Sequence, residues 1–263
     1  MLIDKTQLPQ RKGQQMAFFD RHSLFLKTSP VGNWPDRLNA RYQAIIEDNR
    51  GALKDATVLD LASHDGRWSF AALDAGASHV TGIEVRPELV TAAVENMTAL
   101  GVAADHYEFV QADMFESREL FQRPYDVVLC LGVFYHTTRH IELIELINRT
   151  GAATVILDTM LATQPGCLTV LRAERADNPA NGLDETGTRN NAILVGHPTA
   201  SAVDLMLGHF GYDVQRCDWE ALIAKLGLEP QRNKPHSAAN PVGDYASGLR
   251  GTFVARRPPA KKG

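Results

Sequence analysis

From Thr57 to Met160 short apolar runs alternate with stretches of helical spacing. The runs are TVLDLA (57–62), HVTGIE (79–84), YEFVQAD (107–113), YDVVLCLG (125–132) and ATVILDTM (153–160). Most are nearly continuous and rich in Val, Ile and Leu, the pattern of strands buried on both faces. Between them, Trp68 to Ala75, PELVTAAVENMTALG (87–101), a short segment around Ser117–Phe121 and HIELIELINRTG (140–151) read as helices. Pro87 suits a first helical turn and Gly101 a stop. This alternation predicts an α/β fold, a doubly wound and mostly parallel sheet with helices on both faces.

The flanks read differently. AFFDRHSLFL (17–26) and RLNARYQAII (37–46) have helical spacing, so residues 1–50 form a helical extension. Its rings, Phe18, Phe19, Phe25, Trp34 and Tyr42, suggest a lid that excludes water over a ligand, or a plain layer packed on the sheet. After Met160, the polar stretch 164–198 is too long for an ordinary connection and is read as a substrate-recognition insert or a partly disordered segment. A helix over 199–211, a strand over 212–219, a short helix over 220–226 and a strand over 248–256 follow. The last two strands fit an antiparallel edge that completes seven. One domain over 51–256 and a disordered tail over 257–263 are the expected organisation.

Composition changes this picture little: 44% hydrophobic and 22% charged residues are ordinary for a globular chain. No apolar run approaches the roughly 20 residues of a membrane helix, so no membrane partner is expected. The start, MLIDKTQLPQRKGQQ, lacks a signal-peptide core. Cys130, Cys167 and Cys217 are scattered, which suits a reducing compartment and a cytoplasmic location. Charge is more telling. The total is −4, yet residues 1–50 carry +3, the tail from Arg256 carries +4, and the body over 51–255 holds −11. An acidic body argues against a nucleic-acid groove, while basic ends keep an arm-type contact open.

The chemistry gathers at strand ends. VLDLASHDGRWSF (58–70) runs a strand through Asp60 into a tight loop with one glycine, Gly66, and then a helix. The first strand end of a doubly wound sheet is where ligands bind. Neither GxGxxG nor GxxxxGKS is present, so the dinucleotide and phosphate-loop readings lack their glycines and lysine. The second strand ends in Glu84, placed to accept hydrogen bonds from two ribose hydroxyls. Asp113 ends the third and could take an adenine amino group, with Met114 or Phe115 against the ring. LCLGVFYHT (129–137) brings Leu131–Gly132, Tyr135 and His136 to the same crevice, and Asp158 ends the fifth strand.

VLDLASHDG, GIE, QAD and YDVVLCLGVFYH together resemble the class I S-adenosylmethionine-dependent methyltransferases over roughly residues 50–160. That family's loop is DxGxGxG: Asp60 and Gly66 match, and Ala62 and His64 stand where it has its first two glycines. The resemblance implies S-adenosyl-L-methionine as cofactor. It implies Asp60, Ala62, His64 and Gly66 around the first loop, Glu84 on the ribose, Asp113 and Met114 at the adenine, and Leu131–Gly132 near the methionine moiety. CLGVFYHT and GHPTASAVDLMLGHFGYDVQ look like the branch holding the wobble-uridine tRNA modification enzymes and many small-molecule and sugar methyltransferases.

The expected activity is methyl transfer to a hydroxyl, less readily an amine, of a small polar acceptor such as a glycoside or natural product. His136 would be the general base, since imidazole is poised near neutral pH. Tyr135 would orient the acceptor, and Asp158 would fix the His tautomer or touch the acceptor. Alternatives are a tRNA wobble-uridine-type enzyme and a cofactor-binding protein without catalysis. No metal is expected, because Asp158 with Asp184, Glu185 or His197 matches no compact ligand motif. A homodimer stays open.

Overall fold

The structure is a computed structural model that describes residues 16–28, 34–178, 188–234 and 236–258. The N-terminal part folds as α1 (Phe18–Arg21), α2 (Pro35–Ile45) and α3 (Arg50–Leu53). Strands and helices then alternate: β1 (Thr57–Leu61), α4 (Arg67–Asp74), β2 (His79–Glu84), α5 (Pro87–Ala99), β3 (Tyr107–Gln111), β4 (Val127–Leu131), α6 (His140–Arg149) and β5 (Thr154–Met160). The C-terminal part adds β6 (Thr169–Arg175), β7 (Ala192–Pro198), α7 (Ala200–His209), β8 (Asp213–Arg216), α8 (Trp219–Lys225), α9 (Gly243–Ala246) and β9 (Arg250–Arg256).

Seven strands form one sheet in the order β3-β2-β1-β4-β5-β9-β8. β1 to β5 are parallel, and β9 runs antiparallel between β5 and β8. The order reverses between β1 and β4, so the carboxyl ends of those strands flank the topological switch point. Alternate residues go to opposite faces. Val58, Leu129 and Ile156 pack toward α4 and the N-terminal helices. Leu59, Val128, Cys130, Val155 and Leu157 pack with α6 and α7.

Four expectations need correction. The rings of the N-terminal extension are core rather than lid: Phe18, Phe19, Phe25 and Tyr42 are buried with Trp68 and Phe70 of α4. Phe18 stacks on Tyr42 at 4.2 Å, and Phe19 meets Trp68 edge-on at 5.5 Å. Trp34 alone of the five is half-buried, edge-on to His236. Residues 1–15 lie outside the described residues.

Second, the 164–198 stretch contains a two-stranded antiparallel ribbon of β6 and β7, with Val170 opposite His197 and Glu174 opposite Ile193. Residues 179–187 lie outside the described residues. Third, the 117–121 segment is a 3₁₀ turn over Arg118–Gln122, and the 212–219 strand stops at Arg216, because Asp218 caps α8 by accepting from Ala221 N at 3.0 Å. Fourth, the tail is held at Arg257, whose amide donates to Ala153 O at 2.9 Å and whose Nη2 donates to Asn148 Oδ1 at 2.7 Å. Residues 259–263 lie outside the described residues.

Helix α2 is tied by two buried ion pairs, one to α9 near the far end of the chain and one to β5. Arg37 makes a fork on Asp244, both bonds at 2.8 Å, and Arg41 Nη2 donates to Asp158 Oδ1 at 3.0 Å.

Candidate functional site

The loop after β1 carries three left-handed residues in alternation: Ala62 at φ 55°, His64 at φ 55° and Gly66 at φ 78°. These are the three positions where the resembling family carries glycine. The backbone therefore keeps a glycine-type course even though two of the residues carry a Cβ. Such a course costs an L residue roughly 1–2 kcal/mol.

The surroundings hold the loop there. Ser63 N donates to Ile83 O at 3.0 Å and His64 N donates to Glu84 Oε2 at 3.1 Å, tying it to β2. Asp65 is buried and accepts from Arg67 Nε at 2.7 Å, Arg67 Nη2 at 2.8 Å and Thr28 Oγ1 at 2.7 Å. Burial opposes charge on Asp65, but Arg67 and His64 outweigh it and hold the carboxyl well below its usual range. Because glycine also has more freedom to lose on folding, Ala62→Gly should stabilise the chain by only about 0.5–1 kcal/mol. Urea unfolding of the two proteins tests this; a destabilised variant would show that the Ala62 methyl matters more than the backbone.

Asp60 lies under this loop, fully buried, accepting from Ser69 Oγ at 2.7 Å. Burial pushes its pKa up to about 7 despite that bond, and charge on Glu84 adds to the rise. The folded state thus holds a proton on Asp60 between the ordinary value of 3.8 and about 7, where the unfolded chain has released it. Stability contributed by that proton falls as pH rises through the window, by at most about 1.4 kcal/mol per pH unit. Asp60→Asn should therefore gain stability over wild type from pH 5 to pH 7 and level off above. The histidine contributions are common to both proteins and cancel. A difference independent of pH would show that Asp60 is already charged at pH 5.

Glu84 is buried at the end of β2, taking His64 N on one oxygen and Arg86 N on the other, both at 3.1 Å. A carboxylate has about four acceptor sites, so two backbone bonds orient Glu84 and leave capacity for two hydroxyls. Asp113 is exposed just past β3, with Oδ1 accepting from Phe115 N at 2.7 Å. Met114 is half-buried beside it against the core. Glu84 and Asp113 lie at or just past the ends of adjacent parallel strands, on the side of β1 away from β4.

The second half of the crevice follows β4. Leu131 is buried and Gly132, at φ 86°, donates its amide to Asp158 O at 2.8 Å. The chain then makes a 3₁₀ turn, Phe134–His136. Tyr135 lies against the His136 ring, centroids 3.9 Å apart, and edge-on to His197 at 5.6 Å, with the Arg250 guanidinium 5.5 Å from its ring.

His136 Nδ1 is 3.0 Å from Glu174 Oε2. Sequence reasoning missed Glu174, because no strand was expected in the stretch that carries it. The ribbon is pressed against this turn at Gly196, whose amide donates to Thr137 O at 3.1 Å. A Cβ on Gly196 would lie 2.7 Å from His140 Cε1 and 2.8 Å from Thr169 Cγ2, so glycine is required for the approach.

Asp158 is not in the crevice. It is fully buried, with Oδ1 accepting from Arg250 Nε at 2.7 Å and Arg41 Nη2 at 3.0 Å. Its Oδ2 accepts from Tyr245 OH at 2.8 Å and Thr252 Oγ1 at 2.7 Å. Burial opposes its charge; Arg250 and Arg41 outweigh burial and hold the carboxyl far below its usual range. Glu174, not Asp158, stands at the His136 nitrogen, and Asp158 instead joins α2 to the β5 and β9 strands. Of the metal candidates, Asp184 and Glu185 lie outside the described residues. Among the described residues no group of three or more His, Cys, Asp or Glu is placed to hold a metal ion.

A cleft of about 790 Å³ opens farther along the carboxyl edge, lined by Leu161, Cys217, Trp219, Tyr245 and Arg250 among others. It sits on the β5, β9 and β8 side, away from the Ala62–Gly66 loop, and shares Arg250 with the Tyr135 group.

Residues 58–151 match the family described as methyltransferase domain. The ribosomal RNA large subunit methyltransferase I of Pseudoalteromonas translucida is 36% identical over 73 residues, 26% of this chain and 18% of that protein. The chain thus matches less than a fifth of that relative's length. The N-terminal domain of EvdMO1, solved with SAH and D-fucose, superposes with a TM-score of 0.57 at 19% identity, covering 84% of this chain and 82% of that one. The DhpI–SAH complex gives a TM-score of 0.52 at 17% identity over 85% and 87% of the two chains. Magnesium protoporphyrin IX methyltransferase (ChlM) from Synechocystis PCC 6803, with bound SAH, gives 0.53 at 15% identity over 94% and 90%. At these identities the superpositions carry the fold alone, a Rossmann-like methyltransferase sheet.

Proposed function

We propose that this chain, which carries an S-adenosylmethionine-dependent methyltransferase domain of the class I fold, moves a methyl group to a hydroxyl of a small polar acceptor such as a glycoside. The residues fit the cofactor. Three left-handed residues give the loop a glycine-type course into the start of α4 and hold it against the β2 end that carries Glu84. Glu84 is buried and pre-oriented for vicinal hydroxyls, and Asp113 follows the next strand. Bound there, S-adenosylmethionine supplies an electrophilic methyl on a sulfonium whose departure leaves a neutral thioether.

What remains for the protein is to hold the acceptor oxygen in line and take its proton. The observation that carries the reading is the His136–Glu174 pair at 3.0 Å beside Gly132. With Nδ1–H donated to Glu174, Nε2 is the nitrogen that would accept the hydroxyl proton, and the carboxylate stabilises the imidazolium so formed. Tyr135 packs on that ring and limits its rotation.

EvdMO1 crystallised with D-fucose, which is in keeping with a sugar-like acceptor. An RNA acceptor is the second reading, favoured by the matched rRNA methyltransferase segment and opposed by the acidic body. Labelled S-adenosylmethionine incubated with methyl glycosides and, separately, with bulk RNA decides between them. Label in a glycoside supports the proposal, and label in RNA alone overturns it.

A further inference from the structure

The turn bearing the proposed base is largely covered: the His136 side chain is 12% exposed and Glu174 18%. The cover is the β6–β7 ribbon, which is fastened to the turn by Gly196 and by the His136–Glu174 pair. An acceptor reaching His136 therefore requires the ribbon to lift. The inward face of β7 also carries His197, only 6% exposed, whose Nε2 is buried without a hydrogen-bond partner. A buried polar atom left unpaired is costly, and such atoms mark places where a ligand group completes the bonding.

We propose that the ribbon closes over the acceptor and that His197 then hydrogen-bonds a second hydroxyl of it, so that the substrate class is a polyhydroxylated compound rather than a simple alcohol. This rests on the methyl-transfer reading above and deepens it. The groups facing His197 are Arg172 and Glu174 of β6, Tyr135 and His136 of the turn, and His140 of α6. Burial, with Arg172 next, lowers its pKa to about 4, so the ring is neutral at pH 7. A neutral imidazole donates from one nitrogen and accepts on the other, which suits a hydroxyl. It offers no cation to a carboxylate or phosphate.

The test is methyl transfer to fully hydroxylated methyl glycosides compared with their 2-, 3- and 4-deoxy counterparts. One hydrogen bond amounts to about tenfold in kcat/KM. Wild type should therefore prefer the full glycoside over at least one deoxy analogue by about that factor. In His197→Phe the preference should shrink below twofold, while the melting temperature holds or rises because the unpaired nitrogen is gone. His197→Gln, which restores a neutral hydrogen-bonding group, should recover most of the preference. If His197→Phe retains the tenfold preference, or if wild type shows none, the role of His197 is overturned while methyl transfer to glycosides stands. If wild type binds S-adenosylhomocysteine but methylates no glycoside, the acceptor reading itself fails, and this inference with it.

Discussion

Asp158→Ala is expected to lower the unfolding free energy by about 3–5 kcal/mol, enough to leave much of the chain unfolded. The carboxylate is fully buried and accepts from four side chains, two of them guanidinium groups. Arg250 is itself buried, and removing its counter-charge leaves a cation in the interior with no solvent to compensate. Asp158→Asn keeps an oxygen for Arg250 but loses the charge and turns one acceptor into a donor facing Tyr245 and Thr252, so it should also destabilise. Urea unfolding at pH 7 reads the difference. A variant that folds with near wild-type stability and has lost only turnover would instead return Asp158 to a catalytic role.

The second large effect is on rate. His136→Gln should reduce kcat by about 10²–10⁴, the usual contribution of a positioned general base, with S-adenosylhomocysteine affinity preserved because the ring lies past β4, away from Glu84 and the β1 loop. Glu174→Gln retains the shape and an oxygen at Nδ1 but removes the charge that supports the imidazolium. Its kcat should fall by less, on the order of tenfold. The pair should be non-additive: once His136 is gone, Glu174→Gln adds little. Fully additive losses in the double variant would mean that Glu174 acts on the acceptor or the ribbon rather than through His136.

The parallel half of the sheet was legible because β1, β2, β4 and β5 are buried and read as nearly continuous apolar runs, while β3 at the sheet edge is half-buried. Glu84 and Asp113 were legible as strand-end acids for the same reason. The ribbon was not. TVLRAER carries little apolar signal for its inward face, since Leu171 is exposed while Glu174 is half-buried, and it sits beside an Asn- and Gly-rich stretch that dominates the composition. AILVG at 192–196 was the available signal: a β-rich run after a turn-rich segment is the mark of a hairpin.

Ala62 and His64 conceal their backbone conformation in another way. A non-glycine residue argues against a left-handed backbone, and here Ser63, Asp65 and Glu84 impose one through bonds that no local pattern reveals. Asp158 looked like a site residue because a strand-end carboxylate reads the same whether it faces a crevice or a buried arginine. Its partners lie at positions 41, 245, 250 and 252, separations over which spacing is silent.

The clasp between α2 and the far end of the chain also bears on how the protein is made. Arg37 meets Asp244 across 207 positions, and Arg256 Nη2 reaches Asn49 Oδ1 across another 207. On the ribosome, β2, β3 and β5 can each pair with the strand translated just before them, and β4 returns to β1 once Val127 meets Val58. Helix α2, although translated before all of them, has no counter-ion for Arg37 until Asp244 has left the exit tunnel. This early helix can pack Tyr42 against Phe18 and α4 as soon as they have emerged, but Arg37 waits for its partner through most of synthesis. Slow non-local closure of this kind is where nascent chains meet chaperones.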